Sequence, residues 1–420
     1  MRRLLHLLAL SLGLFWISPA SATRSAAEEF IAPLQSTSIP RSTERVRTIR
    51  DELTGGPALQ ARTAQAAIGA AVGRRAAGCR MIRFGNKPGW VATGTARYPA
   101  SDNPVATLRL EQEARFKAFV DARFHLSECF TGLSGDARRQ VAETLEQDDA
   151  IRLALINLAS NDRERLEQAL RILQRGFVAY LVEADSATRT VFAHLVTTPR
   201  TATRLTRPTP SAMETTSLQE GLKQALAEIE GRLIPPVGHR QVVVNITGET
   251  ALIGYATNLV GAHPNPDAQQ KLRADAEKIA LSRATAALTG LVTGADEAWR
   301  NDLDEASQAE ILAIARGYDE GEPSARRFTQ IRDLLMMGML EQDSGLQALR
   351  EGRLPSAITI KRFEGEHHVS VALIYTPSVR KRQPAPSAAS ATRPEPPPVA
   401  TPVATPVEPS PTDPATTEAR

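Results

Sequence analysis

Two stretches of the chain repeat each other at a fixed spacing, and an internal repeat constrains an architecture before any secondary structure is assigned. Gly78-Cys79-Arg80 returns as Gly238-His239-Arg240 and Gly94-Thr95-Ala96 as Gly254-Tyr255-Ala256, each 160 positions later, with apolar Ile82 and Phe84 meeting Val242 and Val244. The offset then becomes 162, and Pro104, Ala106, Leu110, Ala114, Ala118, Ala122, Leu126 and Gly132 meet Pro266, Ala268, Leu272, Ala276, Ala280, Ala284, Leu288 and Gly294. The same offset carries Arg165, Leu166, Gln168, Leu173 and Gly176 onto Arg327, Phe328, Gln330, Leu335 and Gly338. A closing echo, Thr198-Pro199 against Thr376-Pro377, leaves an insertion of 16 residues in the second copy, where residues 346–353 predict a short added helix.

The periods within each copy give its elements. Residues 80–84 and 90–98 flank a Gly-Asn-Lys-Pro-Gly turn, and 242–246 and 251–257 flank Thr247-Gly248-Glu249, so two strands open each unit. Residues 105–130 and 267–291 carry apolar side chains four apart, mostly alanine, a helical stripe small enough to lie close on a sheet. Further helices are expected over 136–158 and 162–173 in the first copy and 297–316 and 324–337 in the second; Leu166, Ala169, Leu170 and Leu173 form a half-buried stripe. Hairpins over 178–183 with 190–197 and 357–363 with 369–375 close the units.

The fold expected is therefore α+β, with two tandem ββαααββ modules, each an antiparallel sheet covered by helices on one face. Its parts are an N-terminal segment (23–57), module 1 with a leading helix at 58–72 (58–199), a Thr/Pro-rich linker (200–216) and module 2 with a leading helix at 218–233 (217–377). Leu59-Gln60 and Leu218-Gln219 mark the two leading helices as alike. Residues 378–420 are Pro, Ala, Thr and Ser with almost no large apolar side chain, a composition that predicts a disordered, polyproline-like tail.

The first 22 residues read as an export signal: Arg2 and Arg3, an apolar run from Leu4 to Ile17, and small residues up to a cut after Ala22. Periplasmic location in a Gram-negative-type envelope is expected, with secretion as the alternative. No later run is apolar enough for a membrane span, and no cysteine stands at the cut for lipid attachment. Losing the two arginines leaves 48 basic against 47 acidic residues, which removes the electrostatic argument for nucleic-acid binding. Only 5% of the chain is aromatic, which disfavours stacking surfaces for bases or sugars.

Chemistry-bearing patterns are sparse. The chain has no Gly-rich phosphate loop, dinucleotide fingerprint, His-Glu-x-x-His or Gly-x-Ser-x-Gly elbow, so no catalytic, cofactor-binding or metal-ligating residue is assigned. Of the histidines, His367-His368 stands at a hairpin tip and reads as solvated turn, since neighbouring strand residues point to opposite faces. His239 replaces Cys79 in the other copy, so the module's shape requires neither residue. Cys79 and Cys129, the only cysteines, both belong to copy one. A bridge between a strand and the helix packed on it is the preferred reading in an oxidising compartment, two separately buried thiols the alternative. Asp148-Asp149 and Asp302 with Glu305 read as solvated helix charges, Arg74-Arg75 and Arg380-Lys381-Arg382 as edge charge, and Trp90 as a core plug.

The repeat core, a strand with Gly-x-Ala, a Pro-containing turn and a long helix with alanines every four residues ending at Gly, resembles the N-terminal module of flagellar assembly protein T and related small outer-membrane lipoproteins. It runs from Gly94-Thr95-Ala96 through Gly132 and from Gly254-Tyr255-Ala256 through Gly294, about two fifths of each copy. The resemblance implies an envelope scaffold or assembly factor that contacts other proteins, with no catalytic residues to carry over. The function expected is thus a non-enzymatic, protein-binding scaffold. An envelope hydrolase acting on wall or glycan between the two copies, and a lipid or small-molecule carrier, are the alternatives.

Overall fold

The computed structural model describes residues 44–147, 149–294, 308–309 and 323–378. The signal sequence, the Pro-rich tail, Arg380-Lys381-Arg382, Asp148, Asp302 and Glu305 and nearly all of the expected 297–316 helix lie outside them. The protein is α+β, with two mixed sheets of six strands. The first sheet has the order β1-β2-β3-β4-β6-β5, with β1 Arg47–Arg50, β2 Pro57–Ala61, β3 Gly78–Phe84, β4 Lys87–Arg97, β5 Phe177–Asp185 and β6 Thr190–Thr197. The second has β7 Leu205–Thr206, β8 Ala212–Thr215, β9 Val237–Val244, β10 Thr250–Leu259, β11 Thr359–Glu364 and β12 His368–Tyr375 in the order β7-β8-β9-β10-β12-β11. The two orders are identical strand for strand.

Each sheet is larger than the repeat alone implies. The hairpins β1–β2 and β7–β8 join their sheets through one parallel pair each, β2 with β3 and β8 with β9. A parallel neighbour needs a crossover, and the leading helices supply it: α1 (Ala64–Val72) after β2 and, for the second module, Leu218–Glu230 after β8. The first crossover helix is shorter than its sequence stripe because Pro57–Ala61 is strand; Thr63 then caps the helix, its side chain accepting from the Ala66 N–H. Leu59-Gln60 therefore lies on a strand while Leu218-Gln219 opens a helix, and their likeness marks no equivalence.

The stretch expected as a linker is structured as well. Thr198 and Thr201 form a reciprocal capping box that starts α6 (Pro199–Arg204), and β7 and β8 follow, with Ala202, Leu205, Ala212 and Met213 buried. Threonine here serves as helix cap and β-branched strand residue, so its density does not signal a spacer. Between β4 and β5 run α2 (Pro104–Thr131), α3 (Gly135–Glu146), α4 (Asp149–Leu158) and α5 (Asp162–Arg175), so the expected 136–158 helix is two helices. The second module has α7 (Leu218–Glu230), α8 (Pro266–Thr293), α9 (Pro323–Leu340) and α10 (Ser344–Arg350), the last inside the insertion.

Helices cover both faces of each sheet, not one. On the first, Trp90, Ala92, Ala193 and Leu195 pack with Ala118, Ala122 and Leu126 of α2, while Val91, Val178 and Val196 on the opposite face pack with Ala67, Ile68 and Ala71 of α1. On the second, Leu252 and Val371 face α8, while Val242, Ile253 and Ala372 face α7. The α7 face also receives Phe116 and Val120 from α2 of the first module, and Leu233 after α7 enters the first module's core. Helix α2 is thus shared by both halves. Its counterpart α8 carries Lys278 and Ser282 at the positions of Phe116 and Val120, both exposed, so the stacking is not continued.

Candidate functional site

The repeat's signature residues seat the long helices. Asn103 and Asn265 cap α2 and α8, each accepting two backbone N–H groups ahead of a first-turn proline. Ala114, Ala118, Ala122 and Leu126 and the aligned Ala276, Ala280, Ala284 and Leu288 are all buried. A Cβ on Gly94 would strike the backbone of Ala118 and Ala122; one on Gly254 would strike Ala284 and lie 2.6 Å from the Leu288 Cβ. The second seat is one helical turn further along, because Ala122 and Leu126 align with Ala284 and Leu288. Ala96 packs against the first core and Ala256 is buried in the second. Gly132 and Gly294 end the helices, but only Gly294 takes the left-handed form, at φ 72°.

Cys79 on β3 and Cys129 near the end of α2 are joined in a disulfide, with Cα atoms 5.9 Å apart. It closes a loop spanning a sequence separation of 50, worth about 2–4 kcal/mol where the sulfurs meet without strain. Trp90 is 1% exposed and packs edge-on to Phe130 at 5.0 Å, also on α2. Bridge and aromatic pair pin the helix that both modules use.

The histidines do not converge. His125 lies on α2 between Asp121 and Glu128, and His194 is fully buried on β6 with its Nδ1 2.9 Å from the Thr93 hydroxyl. Burial, reinforced by Arg80 and Arg75, pulls the His194 pKa down to about 4. His368 is not a solvated turn residue. It begins β12 half-buried, and burial, then Arg232, Arg115, Arg273 and His367, hold it near 4 as well. His239 is buried on β9. Among the described residues no group of three His, Cys, Asp or Glu is placed to hold a metal ion. Asp149 pairs with Arg152 and Arg75 with Glu183 on partly exposed surfaces.

Sequence reasoning missed the charges at the module junction. Glu228 of α7 is 1% exposed and lies 2.5 Å from Arg207 Nη2 and 3.6 Å from Arg240 Nη2. Arg207 also donates to the Phe177 carbonyl on β5 and stacks 3.9 Å above that residue's ring, so a second-module carboxylate is tied to the first module's edge strand. Nearby, Arg232 reaches Glu111 of α2 at 3.5 Å, and burial, with Arg115 adding to it, pulls its pKa down to about 10. The signal was present: Arg240 repeats Arg80, and Glu228 stands on the buried stripe of α7.

A cleft of about 590 Å³ opens beside this junction. Its walls are the β3–β4 hairpin tip (Phe84, Asn86, Lys87, Pro88), the end of α3 (Thr144, Leu145, Gln147) and the start of α6 (Thr198, Pro199, Arg200, Thr203, Arg204). The lining contains three cations and neither carboxylate nor imidazole. Arg204 is held by Glu220 at 2.8 Å. The expected location, between the two copies, is instead filled by Phe116 and Val120, the Arg232–Glu111 pair and the Arg207 contact with Phe177.

No family model and no curated protein matches the chain. Among solved structures, a hypothetical protein, FTT1539c, from Francisella tularensis is similar at 11% identity, covering 69% of this chain and 83% of that one with a TM-score of 0.23.

Proposed function

We propose that the protein is a non-enzymatic binding platform of the bacterial envelope, a scaffold or assembly factor that holds partner proteins at a fixed spacing. The observation that carries the reading is the junction: two sheets of identical strand order share α2, and Arg207, held by Glu228 of the second half, donates to the Phe177 carbonyl of the first. A shared helix and a buried guanidinium that donates across the junction favour one relative placement of the halves over others. That suits presentation of surfaces better than opening and closing around a substrate. The Cys79–Cys129 bridge is in keeping with an oxidising compartment such as the periplasm, which the N-terminal residues also imply. The repeat core's resemblance to the flagellar assembly protein T module points the same way.

In-cell cross-linking in the envelope of a bacterium expressing the full chain tests the proposal, with a variant lacking residues 378–420 to separate the body from the tail. Specific, reproducible partners captured by the body are expected. Turnover of wall or glycan fragments by purified protein, with no captured partner, would overturn it.

A further inference from the structure

We infer that the cleft beside α6 is a recognition site for an acidic peptide segment of a partner, an inference that rests on the binding-platform reading. Lys87 at the hairpin tip and Arg200 at the start of α6 line one cavity, and among the described residues neither makes an ion pair with a carboxylate. Arg204 keeps Glu220, so the cleft holds two uncompensated positive charges. Glu146 precedes Gln147 on the same wall but does not line the space. A cavity of about 590 Å³ lies in the range that encloses small ligands and short peptide tips rather than folded surfaces.

The rest of the wall favours a peptide. Of the apolar lining residues Phe84 and Leu145 are buried and Pro88 is half-buried, so Pro88 is the main apolar contact open to an aliphatic side chain. The amides of Asn86 and Gln147 each offer a donor and an acceptor, the pair that a main-chain amide needs. The hydroxyls contribute less: those of Thr144 and Thr203 donate to the Gln140 and Arg200 carbonyls, leaving only acceptor capacity. Stacked aromatics, the usual platform for a sugar ring, are absent from this lining, where Phe84 is 7% exposed. Carboxylates set against Lys87 and Arg200, with an aliphatic side chain against Pro88, match this lining.

The probe is a fluorescein-labelled acetyl-(Glu-Leu-Glu-Leu-Glu)-amide, compared with the same peptide carrying Gln for Glu and with free acetate, in titrations of the full chain by fluorescence polarisation and amide chemical-shift mapping. Saturable binding of the acidic peptide is expected, with shifts at Lys87, Arg200 and Gln147, at least about tenfold weaker for the Gln peptide and falling at high salt. Lys87→Glu with Arg200→Glu should abolish it. The milder Lys87→Ala with Arg200→Gln should weaken it about tenfold while thermal melting stays unchanged, which guards against misfolding. Equal affinity for both peptides, shifts from acetate alike in size and position, or unchanged binding by the double variants would overturn the site. If envelope partners cross-link equally well to Lys87→Glu/Arg200→Glu, the cleft assignment falls and the platform reading stands. If the peptide binds as expected but no partner is captured, the platform reading falls alone.

Discussion

Replacing Glu228 by alanine should be among the most damaging single changes in the protein. The carboxylate is 1% exposed, 2.5 Å from Arg207 and 3.6 Å from Arg240, and both guanidinium groups are themselves buried. At an effective dielectric of about 20, each pair of unit charges near 4 Å attracts by about 4 kcal/mol, offset by several kcal/mol of desolvation per ion. Alanine removes the attraction but leaves both cations desolvated, so the loss is about 3–5 kcal/mol. Arg207 would keep only the Arg175 and Phe177 carbonyls and the Phe177 ring, and Arg240 the Pro210 carbonyl. Urea denaturation followed by circular dichroism measures the loss. Replacing all three residues by apolar ones of similar volume should restore most of it, because the cost of burying charge disappears with the charges. A Glu228→Ala loss below about 1 kcal/mol, or a triple variant less stable than the single one, would refute the reasoning.

Gly94→Ala should cost upwards of about 3 kcal/mol, since the new Cβ meets helix backbone that cannot rotate away, whereas Gly135→Ala, with open space around it, should change stability by less than about 0.5 kcal/mol. Reducing the Cys79–Cys129 bridge should lower unfolding free energy by about 2–4 kcal/mol, measured by paired denaturation curves with and without reductant. Acid should destabilise the protein through His194. With the His194 pKa lowered to about 4, the unfolded chain binds a proton between pH 6.5 and 4 that the folded chain refuses, so stability is complete above pH 6.5 and falls as pH drops through that window, by about 3 kcal/mol. His194→Gln, which keeps a partner for Thr93 but does not titrate, should remove that part of the acid limb in stability-versus-pH curves.

The duplication was legible because it is written in residues whose role is steric. Glycine at 94 and 254 and alanine every fourth position exist to let a helix touch a strand, and the matched positions share burial in the structure. The added hairpins were not legible, because β1 and β7 are only four and two residues long and carry no alternation. The Thr/Pro-rich stretch reads as a linker in sequence because capping hydroxyls and spacer hydroxyls have the same composition. Which sheet face the leading helices cover is not written in the sequence: α1 is alanine-rich with almost no amphipathic contrast, and none of its residues is exposed. The cleft left no periodic trace, for its walls come from three separate segments that meet only in the fold.

Helix α2 and Arg207, held in place by Glu228, make the two sheets one body. Both native cysteines are consumed by the disulfide, so spin labels can be attached at Arg139→Cys on α3 and Lys278→Cys on α8, whose side chains are 70% and 78% exposed. Pulsed electron–electron resonance between them should give a single narrow distance distribution, which Glu228→Ala broadens. A broad or two-peaked distribution in the otherwise native protein would contradict the account.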